Sequence, residues 1–307
     1  MVEYSVAREV ERDKYYTVAK ANDLVREAKY NLSLGQQRVL NFLISKIPPD
    51  ATSFDDIGSK QRVGWVSFQV QEFARVYNMD YDSGTTYAHV KDWLLSLKQK
   101  AWWVQIDGED VVMSWLDQVK MEPKSGKCSI TFFQPIEPYL VALTKTGNYT
   151  SYNLLYTTNF RSSYSGRFYE MFKSYEFRSK IKSSQEKNVR TVVMDLEELK
   201  SSFDEKDPRT GKVTKTLSGL TYKDFKRILE RSLIEINKYT DINVAYEPIK
   251  KGKKVIQLKF TIQSVMGLDL LNRIQENKKA EMGFVEKNEI PGQINIFTPT
   301  SIKVEKM

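Results

Sequence analysis

The sequence has one cysteine, Cys128, and one histidine, His89, in 307 residues. A single cysteine cannot form an intrachain disulfide, which favours a reducing, cytoplasmic setting. A structural zinc site needs about four Cys or His ligands, so we expect neither a metal nor another cofactor. A catalytic site of the Ser-His-Asp or Cys-His type would depend on His89. That residue lies in YAHVKDWLLSL, where a solvated or helix-capping histidine is the simpler interpretation.

Long apolar runs and phosphate-binding loops are also missing. No stretch approaches the ~18 consecutive apolar residues of a membrane span. The first residues, MVEYSVAREVERDKYY, are charged where a signal peptide needs an apolar run, which predicts that the chain is not exported. The pattern G-x-x-x-x-G-K-[S/T] does not occur, because Gly211-Lys212 is followed by Val213. A membrane protein and a P-loop ATPase are therefore excluded.

The excess of positive charge is confined to one part of the chain. The net charge is +8, but residues 1–145 carry 18 basic and 19 acidic side chains, a net of −1. Residues 146–264 carry 23 and 14, a net of +9, and residues 265–307 carry 6 of each. The middle segment is thus the candidate polyanion-binding region. The alternative is a soluble domain that is merely basic, and the position of the charges decides between them.

The same order of elements is predicted twice along the chain. Each half reads as helix, strand, short helix, longer helix and β-hairpin. In the first half, Ser33 and Gln36 have capping-box spacing before an apolar helical stripe. In the second half, Asp195 and Thr221 are predicted to cap the two later helices. This order is typical of a winged helix, so we predict an α+β fold of two tandem winged-helix domains, each a helix-turn-helix plus a β-wing. An α+β enzyme with a mixed sheet is the alternative, although no Gly-rich crossover turn supports it.

These patterns divide the chain into four segments. Residues 1–20 are predicted to be a mobile N-terminal arm, and residues 265–307 a flexible C-terminal tail. Residues 21–145 are predicted to form the first winged-helix domain. Residues 146–264 form the second, the principal DNA-binding domain. The neutral first domain is rich in tryptophan, and the sequence leaves open whether these side chains are core or a dimer interface.

Two basic elements of the second domain are predicted to meet DNA. The predicted helix 221–238 places four cations on its outer face, and the following hairpin carries four lysines around Gly252. These candidates are Lys223, Lys226, Arg227 and Arg231 on the helix and Lys250, Lys251, Lys253 and Lys254 on the wing. A basic helix face alone is often only solvated, but the wing makes a second contact point of the kind that winged helices use. A weaker candidate is the start of the first helix, where Arg161, Ser162 and Arg167 suit a phosphate, although a plain helix cap is the alternative.

The chain resembles the initiator Rep family of theta-replicating plasmids from about Val18 to Ile262. The similarity is carried by ANDLVREAKYNLSLGQQRVLNFLISKI, IEPYLVALTKTGNYTSYNLLY, SSYSGRFYEMFKSY and TYKDFKRILERSLIEINKYTDINVAYEPIKKGKKVIQLKF, in the family's order. The resemblance implies a bacterial protein whose second domain reads repeated origin sites called iterons. It also implies a first domain that adds accessory DNA contacts on the same site and forms a dimer that represses the protein's own gene. Origin opening and recruitment of host helicase are implied as well, with no enzymatic step.

Other classes of DNA-acting protein fit less well. A rolling-circle nuclease needs a pair of histidines beside a tyrosine nucleophile, and this chain has one histidine. A tyrosine recombinase is a poor match, because Asp92 rather than arginine lies three residues after His89. A winged-helix transcriptional regulator without a replication role stays open, since an initiator represses through the same contacts.

A short motif in the tail suggests a further partner. Gln293, Ile294, Asn295, Ile296 and Phe297 follow Pro291-Gly292 and resemble the peptide by which bacterial proteins dock on the replicative sliding clamp. An extended peptide could place Ile296 and Phe297 in an apolar pocket. A chance match, or a β-strand packed on the second domain, is the alternative.

Overall fold

The computed structural model describes most of residues 16–274. The residues in that range that it does not describe are Glu27, Lys29, Pro49, Lys60, Gln61, Asp107, Gly108, 177–188, Pro208, Gly211, Thr216, Leu268 and Leu271. None of the described helices is long and apolar enough to cross a membrane.

The first half of the chain contains the first winged helix. Its elements, in chain order, are β1 (Thr17–Ala21), α1 (Asn22–Arg26), α2 (Leu34–Ile44), β2 (Gly58–Ser59), β3 (Arg62–Val63), β4 (Trp65–Gln69), α3 (Val70–Val76), α4 (Thr85–Gln99), β5 (Ala101–Ile106), β6 (Glu109–Ser114), β7 (Leu116–Glu122) and β8 (Lys127–Phe132). Helix α2 begins at the predicted capping box, in which Ser33 and Gln36 bond reciprocally. The wing is the antiparallel sheet β4-β8-β7, and β5 and β6 form a separate hairpin.

The second winged helix repeats this plan. The elements that follow β8, in chain order, are α5 (Leu143–Thr146), β9 (Tyr149–Asn153), α6 (Ser163–Tyr175), β10 (Val189–Asp195), α7 (Leu196–Ser201), β11 (Glu205–Lys206), β12 (Val213–Lys215), α8 (Tyr222–Tyr239), β13 (Ile242–Lys251) and β14 (Lys254–Ser264). Asp195 caps α7 through the backbone N–H groups of Glu197 and Glu198, as predicted. The antiparallel sheet β10-β14-β13 carries the wing. The predicted tandem winged-helix fold is therefore confirmed.

The N-terminal segment differs from the sequence prediction. Residues 17–20 were assigned to a mobile arm, but they lie in β1, which pairs antiparallel with β9 from Thr17↔Asn153 to Ala21↔Tyr149. Because β9 lies beyond residue 145, the start of the first domain is completed by chain that the sequence had assigned to the second. Alternation in TVAKA is too short to identify such a long-range pairing.

Helix α6 lies between the two halves and is almost entirely buried. One side packs against α8, whereas the other packs against α1, α2 and β9. The amide of Gln37 in α2 donates to the backbone oxygen of Ser163, 2.9 Å away. A side chain at Gly166 would place its Cβ 2.5 Å from Oε1 of Gln37, so a larger residue there would require the Gln37 side chain to move. Helix α6 therefore connects α8 to α1, α2 and β9.

Candidate nucleic-acid interface

The outer face of α8 carries the predicted helix cations. Thr221 caps this helix by accepting a hydrogen bond from the backbone N–H of Asp224 at 3.2 Å. Its apolar stripe is buried against α6 and β13, through Phe225, Leu229, Leu233 and Ile236. The opposite face exposes Lys223, Lys226, Arg227 and Arg231. All four predicted helix residues therefore lie on the solvent side of one helix.

Acidic neighbours on α8 hold these cations only loosely. Arg227 lies 3.4 Å from Asp224, and Lys226 lies 3.5 Å from Glu230, in pairs that are both strongly exposed. Glu230 also accepts a hydrogen bond from the hydroxyl of Tyr246 on the wing strand at 3.2 Å. Exposed ion pairs of this kind contribute about 0–1 kcal/mol. A DNA phosphate can therefore replace the carboxylates at little cost.

The wing presents its lysines around a tight turn. The strands of the hairpin around Gly252 continue through Pro248 to Lys251 and resume at Lys254. Gly252 takes a φ of +62°, which favours glycine in the turn. Lys250, Lys251, Lys253 and Lys254 are all exposed. The wing thus offers four ammonium groups on a rigid hairpin beside α8.

The start of α6 differs from its predicted role. Arg167 is 5% exposed, and its guanidinium donates to the backbone oxygen of Ala28 at 2.8 Å and to the hydroxyl of Tyr30 at 3.2 Å. It therefore ties α6 to the first domain instead of facing DNA. Ser162 serves as an ordinary cap for Tyr164. Arg161 is exposed, but its backbone N–H already donates to the carboxylate of Glu235.

The corresponding helix of the first domain is different in charge. The centre of the exposed face of α4 carries neutral or acidic side chains, which are Thr85, Ala88, Asp92, Leu95 and Gln99. His89 is exposed and stacks on Trp93, with ring centroids 5.5 Å apart, which agrees with a solvated histidine. The exposed cations are therefore concentrated at the centre of the outer face of α8 and not at the centre of the outer face of α4.

Two further residues of α8 share the strip of exposed cations and were missed from the sequence. Ile234 and Lys238 continue the series from Arg227 and Arg231 at spacings of three and four residues. The same spacing rule that identified the cations could have found them. Ile234 is apolar, so the search for charged side chains does not identify it, although it is 68% exposed.

Cys128 is the single thiol of the chain and lies outside this surface. Cys128 is buried, and burial raises the pKa of its thiol to about 12, which makes it a poor nucleophile. Among the described residues, no group of three or more His, Cys, Asp or Glu side chains could hold a metal. The tail motif at 293–297 lies outside the described residues.

Two helix-turn-helix units, each followed by a β-hairpin, define a tandem winged-helix DNA-binding protein. Comparison with protein families agrees with this class. The model described as "Initiator Replication protein, WH1" matches residues 17–173, and "Initiator Rep protein, WH2" matches residues 195–262. The chain belongs to the initiator Rep family, a family of DNA-replication initiators. The resemblance found in the sequence is therefore confirmed.

The chain was also compared with solved structures, and the Pi initiator protein supports the same fold. The crystal structure of the Pi initiator protein in complex with iteron DNA matches with a TM-score of 0.64 and 20% identity, covering 83% of this chain and 99% of that one. The WH1 domain of MSBI1.176, a replication protein isolated from a multiple sclerosis patient, matches with a TM-score of 0.27 and 14% identity. It covers 35% of this chain and 77% of that one. No curated protein matches the sequence significantly.

Proposed function

We propose that this protein initiates plasmid replication by binding iterons in duplex origin DNA, chiefly through its second domain. The observation that carries the proposal is the pairing of a basic outer face on α8 with a basic wing in one domain. In a winged helix the longer helix enters the major groove and the hairpin lies on the backbone. Arginine and lysine on the helix can contact phosphates or the O6 and N7 atoms of guanine. The wing lysines supply sequence-independent affinity.

The wider role that we propose follows the family. Bound at repeated sites in the bacterial cytoplasm, the protein helps to open the origin and recruits host helicase or initiator proteins. It acts by binding, without a catalytic step, and as a dimer it represses its own gene. We propose that the first domain adds accessory contacts to the same DNA.

A test in trans separates an initiator from a transcriptional regulator. The gene is supplied on one replicon to a second plasmid that carries only the upstream repeats and no other origin. We expect the second plasmid to be maintained, because an initiator acts at the repeats without being encoded beside them. The gene with all four wing lysines changed to alanine is the control and should fail. Repression of a reporter without maintenance would instead identify a regulator.

We propose that the hairpin β5–β6 of the first domain forms the dimer contact. Successive cross-strand pairs lie on opposite faces of the hairpin. Trp102 and Met113 form a buried pair, whereas the next pair, Trp103 and Val112, is 54% and 41% exposed. An exposed tryptophan beside an exposed valine is an apolar surface of the kind found at the centre of interfaces. The neutral charge of this domain also favours self-association.

Changing both Trp103→Ser and Val112→Thr should shift the full chain towards monomer. The two substitutions remove most of the apolar area that this pair would bury in the dimer. We therefore expect the dimer to be at least tenfold weaker, since hot-spot truncations cost roughly 2 kcal/mol or more. Sedimentation over a wide concentration range measures the change. Val193→Thr is the matched control, because Val193 is 49% exposed on the second domain's sheet. A wild-type chain that is monomeric throughout would end the idea.

The tail motif supports one further partner, the replicative sliding clamp. We propose that Gln293, Ile294, Asn295, Ile296 and Phe297 dock there as an extended peptide. Purified clamp should be retained by the full chain and lost when Ile296 and Phe297 are both changed to alanine. Changing Thr298 and Thr300 to alanine is the control. Equal retention by both proteins, or by neither, would show the motif to be accidental.

A further inference from the structure

Ile234 is an apolar residue in the middle of a charged surface. On α8, residues at 223, 227, 231, 234 and 238 form one strip, because three- and four-residue steps return to the same face. The other four are Lys223, Arg227, Arg231 and Lys238. At 68%, Ile234 is the most exposed large apolar side chain among the described residues. It lies on the side directly opposite the buried stripe that ends at Ile236.

The polar groups around Ile234 are engaged elsewhere. Glu230, one turn earlier, interacts with Lys226 and Tyr246. Glu235, its neighbour in sequence, accepts from the backbone N–H of Arg161. The ammonium of Lys238, one turn later, lies 5.1 Å from the centroid of the Tyr239 ring. The surface at Ile234 is therefore an apolar point between cations that are suited to phosphates.

The strip has the chemistry needed to recognise one base through an apolar contact. A helix in the major groove meets hydrogen-bonding groups at most bases, but thymine also presents its C5 methyl group there. An isoleucine between two cations of the inserted face has no hydrogen bond to offer and excludes water from what it touches. We infer that Ile234 is a specificity-determining residue that packs on the methyl group of one thymine in the bound site. This inference rests on the proposed DNA binding by α8.

Removing that one methyl group from the DNA tests the contact directly. Duplexes are first selected from a random pool by the full wild-type chain, and each thymine of the enriched site is then replaced singly by deoxyuridine. We expect wild-type affinity to fall about three- to tenfold at one thymine, the scale of burying a methyl group or two. Ile234→Ala should bind the thymine and deoxyuridine duplexes equally at that position. Ile234→Val should keep part of the discrimination.

Two comparisons make the result specific. Met266→Ala changes an apolar side chain that is 64% exposed but outside the strip, so it should leave the deoxyuridine scan unaltered. A scan in which Ile234→Ala keeps every wild-type loss, or in which no thymine matters to wild type, would overturn the inference while leaving specific DNA binding intact. A pool that the wild-type chain does not enrich would overturn the proposed function and this inference together.

Discussion

Replacing Lys250, Lys251, Lys253 and Lys254 together with alanine is expected to weaken binding to every DNA sequence by roughly a thousandfold at 0.1 M salt, since each phosphate neutralised contributes about 0.9 to the salt slope. The slope of log K against log salt should become shallower by up to about 3.6 for four contacts. The four side chains flank one tight turn and are exposed. Fluorescence titration of one duplex across a range of salt measures both quantities.

Two controls separate charge from shape in this experiment. Changing the same four residues to arginine keeps the charge and should keep the slope. Changing Lys120 and Lys124 to alanine removes exposed cations beside the topologically equivalent turn of the first domain, and we expect a smaller effect there. Preference among DNA sequences should survive the wing changes, because phosphate contacts carry no base information. An unchanged salt slope would show that the wing lysines do not contact the DNA.

Local signals predicted much of this fold correctly. Ser33, Asp195 and Thr221 cap helices as their spacing indicates, because a side-chain oxygen and a free N–H lie within one turn of each other. The hairpins at 101–114 and 116–132 follow from turn residues between β-prone runs. The basic face of α8 also follows from its period, which separates a buried stripe from an exposed one.

The predictions that were wrong depend on contacts between residues that are distant in sequence. Arg167 has the neighbours of a phosphate-binding residue, yet its guanidinium is held by Ala28 and Tyr30, more than a hundred residues earlier. Strand β1 is identified only by its partner β9. No local sequence pattern indicates that an arginine on a helix contacts residues so far away along the chain. The basic surface was predictable because it is made of two adjacent elements, whereas the packing of β1 and α1 against α6 was not.

That packing contains a buried ion pair whose loss should have a large effect on stability. The ammonium of Lys20 on β1 lies 2.6 Å from Oε1 of Glu170 on α6 and 2.8 Å from the side-chain oxygen of Asn41. Both members of the pair are almost fully buried. Changing Lys20 to methionine leaves the carboxylate without its counter-charge, so we expect a loss of about 3–5 kcal/mol in the free energy of unfolding. Urea denaturation at pH 7 measures it. Lys259→Met, which breaks the exposed pair with Glu247 at 3.6 Å, should cost less than about 1 kcal/mol.

The pH dependence of this pair gives a second readout. Burial alone would raise the pKa of Glu170, but the charge of Lys20 and hydrogen bonds from Lys20 and Tyr152 hold it below its ordinary value of 4.5. A carboxyl with a lowered folded-state pKa contributes stability above its unfolded-state pKa and loses it as the pH falls through the folded-state pKa. The stability of the wild type and of Glu170→Gln should therefore differ at pH 7 and converge well below pH 4.5. A Lys20→Met variant as stable as Lys259→Met at pH 7, or a gap between wild type and Glu170→Gln that persists in acid, would show that the pair does not hold β1 to α6.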